Sequence, residues 1–158
     1  MTEEKDASQR FRDAAAQQGL TVEVVTMAES TRTAAEAAAA CGCGVAQIVK
    51  SLVFRGATSA APYLLLVSGA NRVDEAGVAA AIGEALVRPD ANDVRSVTGY
   101  AIGGIPPLGH AEPLKTFMDA DLLAHDRVWA AAGTPNSVFP VAPQRLATAA
   151  GATVISVT

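Results

Sequence analysis

The sequence predicts an α/β fold: a single domain spanning residues 1–158, in which a mixed β-sheet or partly closed barrel is flanked by helices. Three observations predict it. Helical and β-branched stretches alternate along the chain, but without the regular period of a doubly wound βαβ array. The helical stretches are bracketed by capping residues at their starts and by glycines at their ends. At 158 residues and 50% hydrophobic content, the chain is long enough for one real core and buries on the order of 70% of its unfolded surface.

Taken in order, Ser8 to Gln18 reads as a helix, with Phe11, Ala14, Ala15 and Gln18 at helical spacing and Gly19 as its stop. Disorder is expected only over the charged start, residues 1–7. Val22, Val24 and Val25 are β-branched and mark a strand over Thr21 to Thr26. Thr33 and Glu36 form a capping-box pattern, so a helix is expected from there to about Cys41. A short helical turn near Val45 to Ile48 then leads into strands over Lys50 to Arg55 and Tyr63 to Ser68. Asp74 is placed to cap a helix to Ile82, and Asp90 another to Thr98, with Gly99 at the C′ position. Thr116 to Met118, Arg127 to Ala131 and Ser137 to Phe139 read as short strands. Pro143 and Gly151 bracket a last helix, which is followed by a strand over Thr153 to Val157.

Between the fourth helix and the next strand lies Thr98-Gly99-Tyr100-Ala101-Ile102-Gly103-Gly104-Ile105-Pro106-Pro107-Leu108-Gly109-His110. Proline fixes φ, while glycine admits positive φ and lets another molecule approach the main chain. That combination builds a binding loop from backbone groups.

Several function classes fall away. No apolar run is long enough to cross a bilayer, and the start Met1-Thr2-Glu3-Glu4-Lys5-Asp6 does not read as a signal peptide, so the cytoplasm is the expected location. Cys41 and Cys43 lack the partners of a zinc site, and no metal or cofactor is called for. Gly44 to Ser51 imitates a phosphate-binding P-loop, but Val49 replaces the glycine that lets the loop curl, and Lys50 begins a strand. No nucleophile elbow or Cys-His pairing is visible. Lys50 sits in the apolar run Ile48 to Phe54 and reads either as a lysine snorkelling to water or as a cation held at a cleft.

Ser30-Thr31-Arg32-Thr33-Ala34, Ile48-Val49-Lys50-Ser51-Leu52-Val53-Phe54, Leu66-Val67-Ser68-Gly69 with Asn71-Arg72-Val73, the glycine loop and Ala132-Gly133-Thr134-Pro135-Asn136 occur in that order. Together they resemble the YbaK-like family, also called the aminoacyl-tRNA synthetase-associated or prolyl-tRNA synthetase editing domain. The resemblance covers about Thr21 to the C-terminus. It implies a strongly curved, barrel-like mixed sheet. It also implies trans-editing: hydrolysis of the ester of mischarged aminoacyl-tRNA, most often proline tRNA carrying alanine or cysteine.

By the same resemblance, Lys50 matches the family's strand lysine, and Gly103-Gly104-Ile105-Pro106-Pro107 its G-x-x-x-P loop. Lys50, Gly103 and Gly104 are then the catalytic candidates. Thr31, Ser51, Gly99, Tyr100, Ile105, Pro106, Pro107, Gly133, Thr134, Asn136 and Ser137 are the substrate-binding candidates, the polar ones among them reading equally as capping or turn residues. The implied partner is the acceptor end of aminoacyl-tRNA, with a synthetase as a candidate helper. A noncatalytic module that holds an aminoacyl or nucleotide ligand is the alternative. The net charge of −4 requires any basic face to be assembled from scattered residues such as Arg55, Arg72, Arg88, Arg95, Lys115 and Arg127.

Overall fold

The computed structural model describes residues 2–158. The first helix, α1, is Thr2–Gln17 rather than starting at Ser8, and Gly19 at φ 77° ends its last turn. Met1, part of the start expected to be disordered, lies outside the described residues. The next elements are β1 (Val25–Thr26), α2 (Ala34–Cys41), a 3-10 turn over Val45–Gln47, and the antiparallel hairpin of β2 (Val49–Gly56) and β3 (Pro62–Ser68). Then come α3 (Glu75–Ile82), β4 (Leu86–Val87), α4 (Ala91–Thr98), β5 (Lys115–Asp119), a 3-10 turn over Ala120–Ala124, β6 (Val128–Ala131), β7 (Ser137–Val141), α5 (Pro143–Ala150) and β8 (Thr153–Ile155).

The caps follow the sequence closely. Thr33 accepts the Glu36 N–H through its hydroxyl, Glu36 reaches back to the Thr33 N–H, and Asp90 accepts the Asp93 N–H. Asp74 occupies the N-cap of α3 without a side-chain hydrogen bond.

The strands form a mixed arrangement of two open sheets. The larger has the order β4-β2-β3-β5-β8, with β3, β5 and β8 mutually parallel; the smaller has the order β1-β7-β6. The expected barrel-like, strongly curved sheet is therefore not found. Closure needs a continuous ladder, whereas the larger sheet ends on the short strands β4 and β8, and the smaller sheet touches it only through the parallel bridge Ile48–Trp129. Beyond that one bridge, side chains join the two sheets.

Those side chains explain the near-continuous apolar run of β3. Leu64 and Leu66 point with Met118 toward Phe11 of α1, Phe139 of β7 and Leu146 of α5. Leu65 and Val67 point the other way, with Phe54 and Phe117, onto Val78 of α3. A central strand buried on both faces reads as unbroken hydrophobicity. The rings of Phe11 and Phe139 pack 4.8 Å apart between centroids with their planes tilted by 44°, which holds α1 against the smaller sheet. Among the described residues, no helix is long and apolar enough to cross a membrane.

The β2–β3 turn is held by one carboxylate. Glu84 accepts hydrogen bonds from the Thr58 and Ser59 N–H groups and from the Ser59 and Tyr63 hydroxyls. These donors, the Ser59 hydroxyl first, hold its pKa down at about 2 against an ordinary 4.5. A carboxylate whose folded pKa is depressed stabilises the fold above its unfolded pKa and loses that contribution as pH falls through the folded value. Urea midpoints should accordingly drop between pH 4.5 and about 2, and Glu84→Gln should flatten that limb.

Candidate functional site

A cavity of about 640 Å³ opens where the segment before α2, the start of β2, the glycine loop and β6 converge. Each wall has a local cause. The capping box at Thr33 fixes where α2 begins, and both the N–H and the hydroxyl of Thr31 donate to the Pro135 carbonyl, at 2.7 and 3.1 Å. Ala37 and Ala38 of α2 then pack with Ile48 against Trp129. Small alanines let the helix approach closely.

Lys50 enters this cavity from the second residue of β2, opposite Val67. Its ammonium donates to the Asn71 carbonyl at 2.7 Å, just past the end of β3. Asn71 is itself fixed: its amide donates to Asp119 and to Asp121, each at 2.8 Å. Asp119, only 2% exposed at the end of β5, also accepts the Ser68 and Asp121 N–H groups. The snorkelling reading of Lys50 thus gives way to a cation held at a cleft. Burial lowers its pKa below that of an ordinary lysine, Asp119 opposes that, and Arg72 adds to it.

Neutralising Asp119 should therefore lower the Lys50 pKa further. The check is a titration of ¹³Cε-labelled lysine signals in wild type and Asp119→Asn, which is tractable because the chain has only three lysines, Lys5, Lys50 and Lys115. An unmoved Lys50 signal would show that the carboxylate is only structural.

The glycine loop closes the opposite wall through Ile102, Gly103 and Ile105. Gly103 adopts φ 97°, a left-handed conformation that favours glycine, and the Arg32 side chain lies against its bare Cα. Among the described residues its N–H has no hydrogen-bond partner, whereas the Gly104 N–H donates to the Ala101 carbonyl at 3.1 Å. Gly104 instead presses its Cα against the Thr134 main chain, where an added Cβ would come within 2.6 Å.

That contact shows where the other predicted segment lies. Gly133 to Ser137 forms a buried turn behind the loop. The Thr134 and Ser137 hydroxyls are 2.6 Å apart, and the Asn136 amide donates to the Met27 carbonyl. Gly133, at φ 106°, backs onto the Ala7 main chain.

Of the predicted site residues, Thr31, Lys50, Ser51, Gly103 and Ile105 share the cavity. Gly104, Gly133, Thr134, Asn136 and Ser137 stand behind its walls. Gly99 caps α4 at φ 82°, and the buried ring of Tyr100 lies under the Arg10 guanidinium at 4.7 Å. The Pro106 carbonyl accepts a hydrogen bond from His110 Nε2 at 2.8 Å, and Pro107 faces a second cavity of about 330 Å³. Burial pushes the His110 pKa down, and the hydrogen bond to Pro106 opposes it.

Sequence reasoning missed Asn71 and Asp119 as the support of Lys50, and Arg32, Ile102 and Trp129 as lining. Trp129 had a signal, as the only tryptophan of the chain. The Asp119 link joins residues far apart in sequence and had none.

Three of the scattered basic residues have partners within the fold. Arg55 pairs with Asp93 at 2.6 Å and Arg88 with Glu75 at 3.2 Å, while Lys115 lies over the Phe117 ring. Cys41, pushed up to about 11 by burial and by Cys43, is a poor nucleophile. Among the described residues, no group of three or more His, Cys, Asp or Glu side chains is arranged to hold a metal ion.

The residues that line the cavity bring a lysine, a glycine whose N–H has no hydrogen-bond partner among the described residues, hydroxyls and apolar walls. Its one lining carboxylate, Glu36, is engaged by the Thr33 N–H and the Ser30 hydroxyl. Such a set can bind and polarise a carbonyl, and it brings no side-chain general base of its own.

Comparison with known proteins matches this geometry to a family. The profile of the aminoacyl-tRNA editing domain matches residues 28–149. The uncharacterized protein YwhH of Bacillus subtilis (strain 168) is 29% identical over 124 residues, which make up 78% of this chain and 78% of that protein. A solved structure described as "a putative trans-editing enzyme for prolyl tRNA synthetase" is 44% identical, with a TM-score of 0.90 over 96% of each chain. The structure of hypothetical protein APE2540 is 30% identical, with a TM-score of 0.86 over 94% of this chain and 98% of that one.

Proposed function

Because this chain belongs to the aminoacyl-tRNA editing domain family, we propose that it is a hydrolase that releases a wrong amino acid from the 3′ end of tRNA, acting in trans. The single observation that carries this reading is the cavity that Lys50 and Gly103 both line. Its volume of about 640 Å³ suits an aminoacyl nucleoside.

In this mechanism the Gly103 N–H and the Lys50 ammonium orient the ester carbonyl and stabilise the oxyanion that forms when water attacks. The carbon–oxygen ester bond then breaks. The amino acid leaves as the carboxylic acid, and the ribose oxygen takes up a proton. With no free side-chain base lining the cavity, the neighbouring ribose hydroxyl of the substrate is assigned to position the water. Gly104, Pro106 and the Thr134 turn act by holding the loop rigid, so that geometry is set before substrate arrives. Ile102 and Trp129 supply an apolar rim for the terminal base.

A second site of this kind is needed because one methylene discriminates by only about 1–3 kcal/mol, so a synthetase pocket admits smaller amino acids. We assign proline tRNA carrying alanine or cysteine as the substrate. The resemblance in sequence supports this, and the 44% identity to a protein described as "a putative trans-editing enzyme for prolyl tRNA synthetase" supports the prolyl system, with no amino acid named. The site of action is then the cytoplasm, where charged tRNA is used, and a synthetase that holds the tRNA body is the candidate partner.

The test is deacylation of proline tRNA bearing alanine, cysteine, serine or proline. Selective release of alanine or cysteine is the expected result. Release of serine alone would move the substrate assignment. No release from any member by folded protein would overturn hydrolysis of these substrates in favour of a binding module.

A further inference from the structure

We propose that Arg32, standing over Gly103 at the mouth of the cavity, is a phosphate-binding residue that holds the phosphodiester on the 5′ side of the nucleotide entering the cavity. The identity of that nucleotide rests on the editing function proposed above; the phosphate chemistry rests on the residues themselves. Arg32 lines the cavity and is exposed. Its Cγ and Nε lie 3.1 Å from where a Cβ on residue 103 would stand, so the glycine lets the side chain pack closely over the loop. Its own N–H is tied to the Ser30 hydroxyl at 3.2 Å, which fixes the backbone from which it projects.

What sets Arg32 apart is its place, since among the described residues it is the arginine that lines this cavity. Arg55 and Arg88 are neutralised by carboxylates, and Arg10 is spent on the Gly99 carbonyl and the Tyr100 ring. Among the described residues, Arg32 has no carboxylate within ion-pair distance. Lys50 shares its cavity, Arg72 is close enough to act on Lys50, and the one lining carboxylate is committed to the α2 cap. Glu36 keeps its charge and Asp119 acts on Lys50, so the exposed Arg32 guanidinium is the cation that the mouth of the cavity presents to solvent.

An aminoacyl ester carries a cationic amine and no free carboxylate, so the anions available to Arg32 are phosphates. The planar guanidinium fork matches phosphate oxygens two at a time.

Trp129, the only tryptophan, lines the same cavity and reports occupancy by its fluorescence. The probes are the trinucleotide CCA, AMP and adenosine, titrated into wild type, Arg32→Ala, Arg32→Lys and Arg145→Ala. Wild type should bind CCA more tightly than adenosine. Arg32→Ala should weaken CCA binding about tenfold, the loss of one charge-assisted contact. The slope of log affinity against log salt should fall by about 0.7. Arg32→Lys should keep most of the salt slope while losing affinity, and Arg145→Ala, which removes the same charge from an exposed position on α5, should change neither.

Equal affinity of wild type for CCA and adenosine would overturn the proposal, as would CCA affinity unchanged in Arg32→Ala. AMP binding as tightly as CCA would overturn the diester assignment in favour of a mononucleotide phosphate. Arg32-dependent CCA binding without hydrolysis of any charged tRNA would support the phosphate site while sinking the hydrolytic function.

Discussion

Lys50→Ala is expected to lower kcat/KM for deacylation by about 100- to 1,000-fold, the scale of losing one preorganised donor to a developing oxyanion. The fold should survive. The side chain bridges to a single carbonyl, and Asn71 keeps its two amide contacts to Asp119 and Asp121 when the ammonium is gone. The thermal midpoint should then move by roughly 2 °C or less. Lys50→Met, which keeps the aliphatic stem, should be as inactive as the alanine variant and so assign the loss to charge rather than volume. Lys50→Arg should fail as well, because the planar guanidinium does not reproduce a compact ammonium 2.7 Å from the Asn71 carbonyl. The pH profile carries the same signature. Burial lowers the Lys50 pKa, so the alkaline limb of the rate should begin below the pH of an ordinary lysine. Full activity in Lys50→Ala would remove Lys50 from the mechanism.

The second large effect is expected at Gly104. A Cβ there would stand 2.6 Å from the carbonyl carbon of Thr134 and 2.8 Å from its Cα. Main chain on both sides cannot rotate away. Gly104→Ala must therefore push the glycine loop off the Thr134 turn, at a cost of about 1–3 kcal/mol in stability. Activity should fall further than stability suggests, by about 100-fold, since a shift near 1 Å at the reacting groups is enough. Gly44→Ala provides the contrast. Its φ of −75° suits any residue and the nearest atom to an added Cβ is 3.8 Å away, so stability should change by roughly 0.5 kcal/mol or less. Urea unfolding separates the two variants, and wild-type activity in folded Gly104→Ala would show that the loop needs no fixed backing.

The elements legible in the sequence were those whose signals are local. The Thr33–Glu36 box starts α2, Asp90 starts α4, and Gly99 and Gly151 end helices at positive φ, because a cap depends on residues within one turn. Strand β1 was read too long. Val22 and Val24 are β-branched, yet only Val25 and Thr26 find partners on β7, and partners are decided by the rest of the chain. The two-residue strand β4 was missed for the same reason.

The candidate site divides in the same way. Lys50, Ser51, Thr31, Gly103 and Ile105 were legible as pieces of ordered motifs, and they do share one cavity. That Gly133 to Ser137 supports the loop from behind was not legible, because a residue type carries no sign of which side of a wall it occupies. Nor was the link from Asp119 through Asn71 to Lys50, which joins the ends of two parallel strands across many residues of sequence.

The sequence by itself determined the limits of α2 to α5, the buried strand β3, the glycine loop and the family, since each depends on near neighbours or on ordered motifs. Only the tertiary structure decided that the strands form two open sheets and that one lysine is held by a remote carboxylate. It also decided which arginine lines the cavity. Strand partners, burial and charge pairing are set by residues distant in the chain, and their energies exist only once the fold has brought them within a few ångströms.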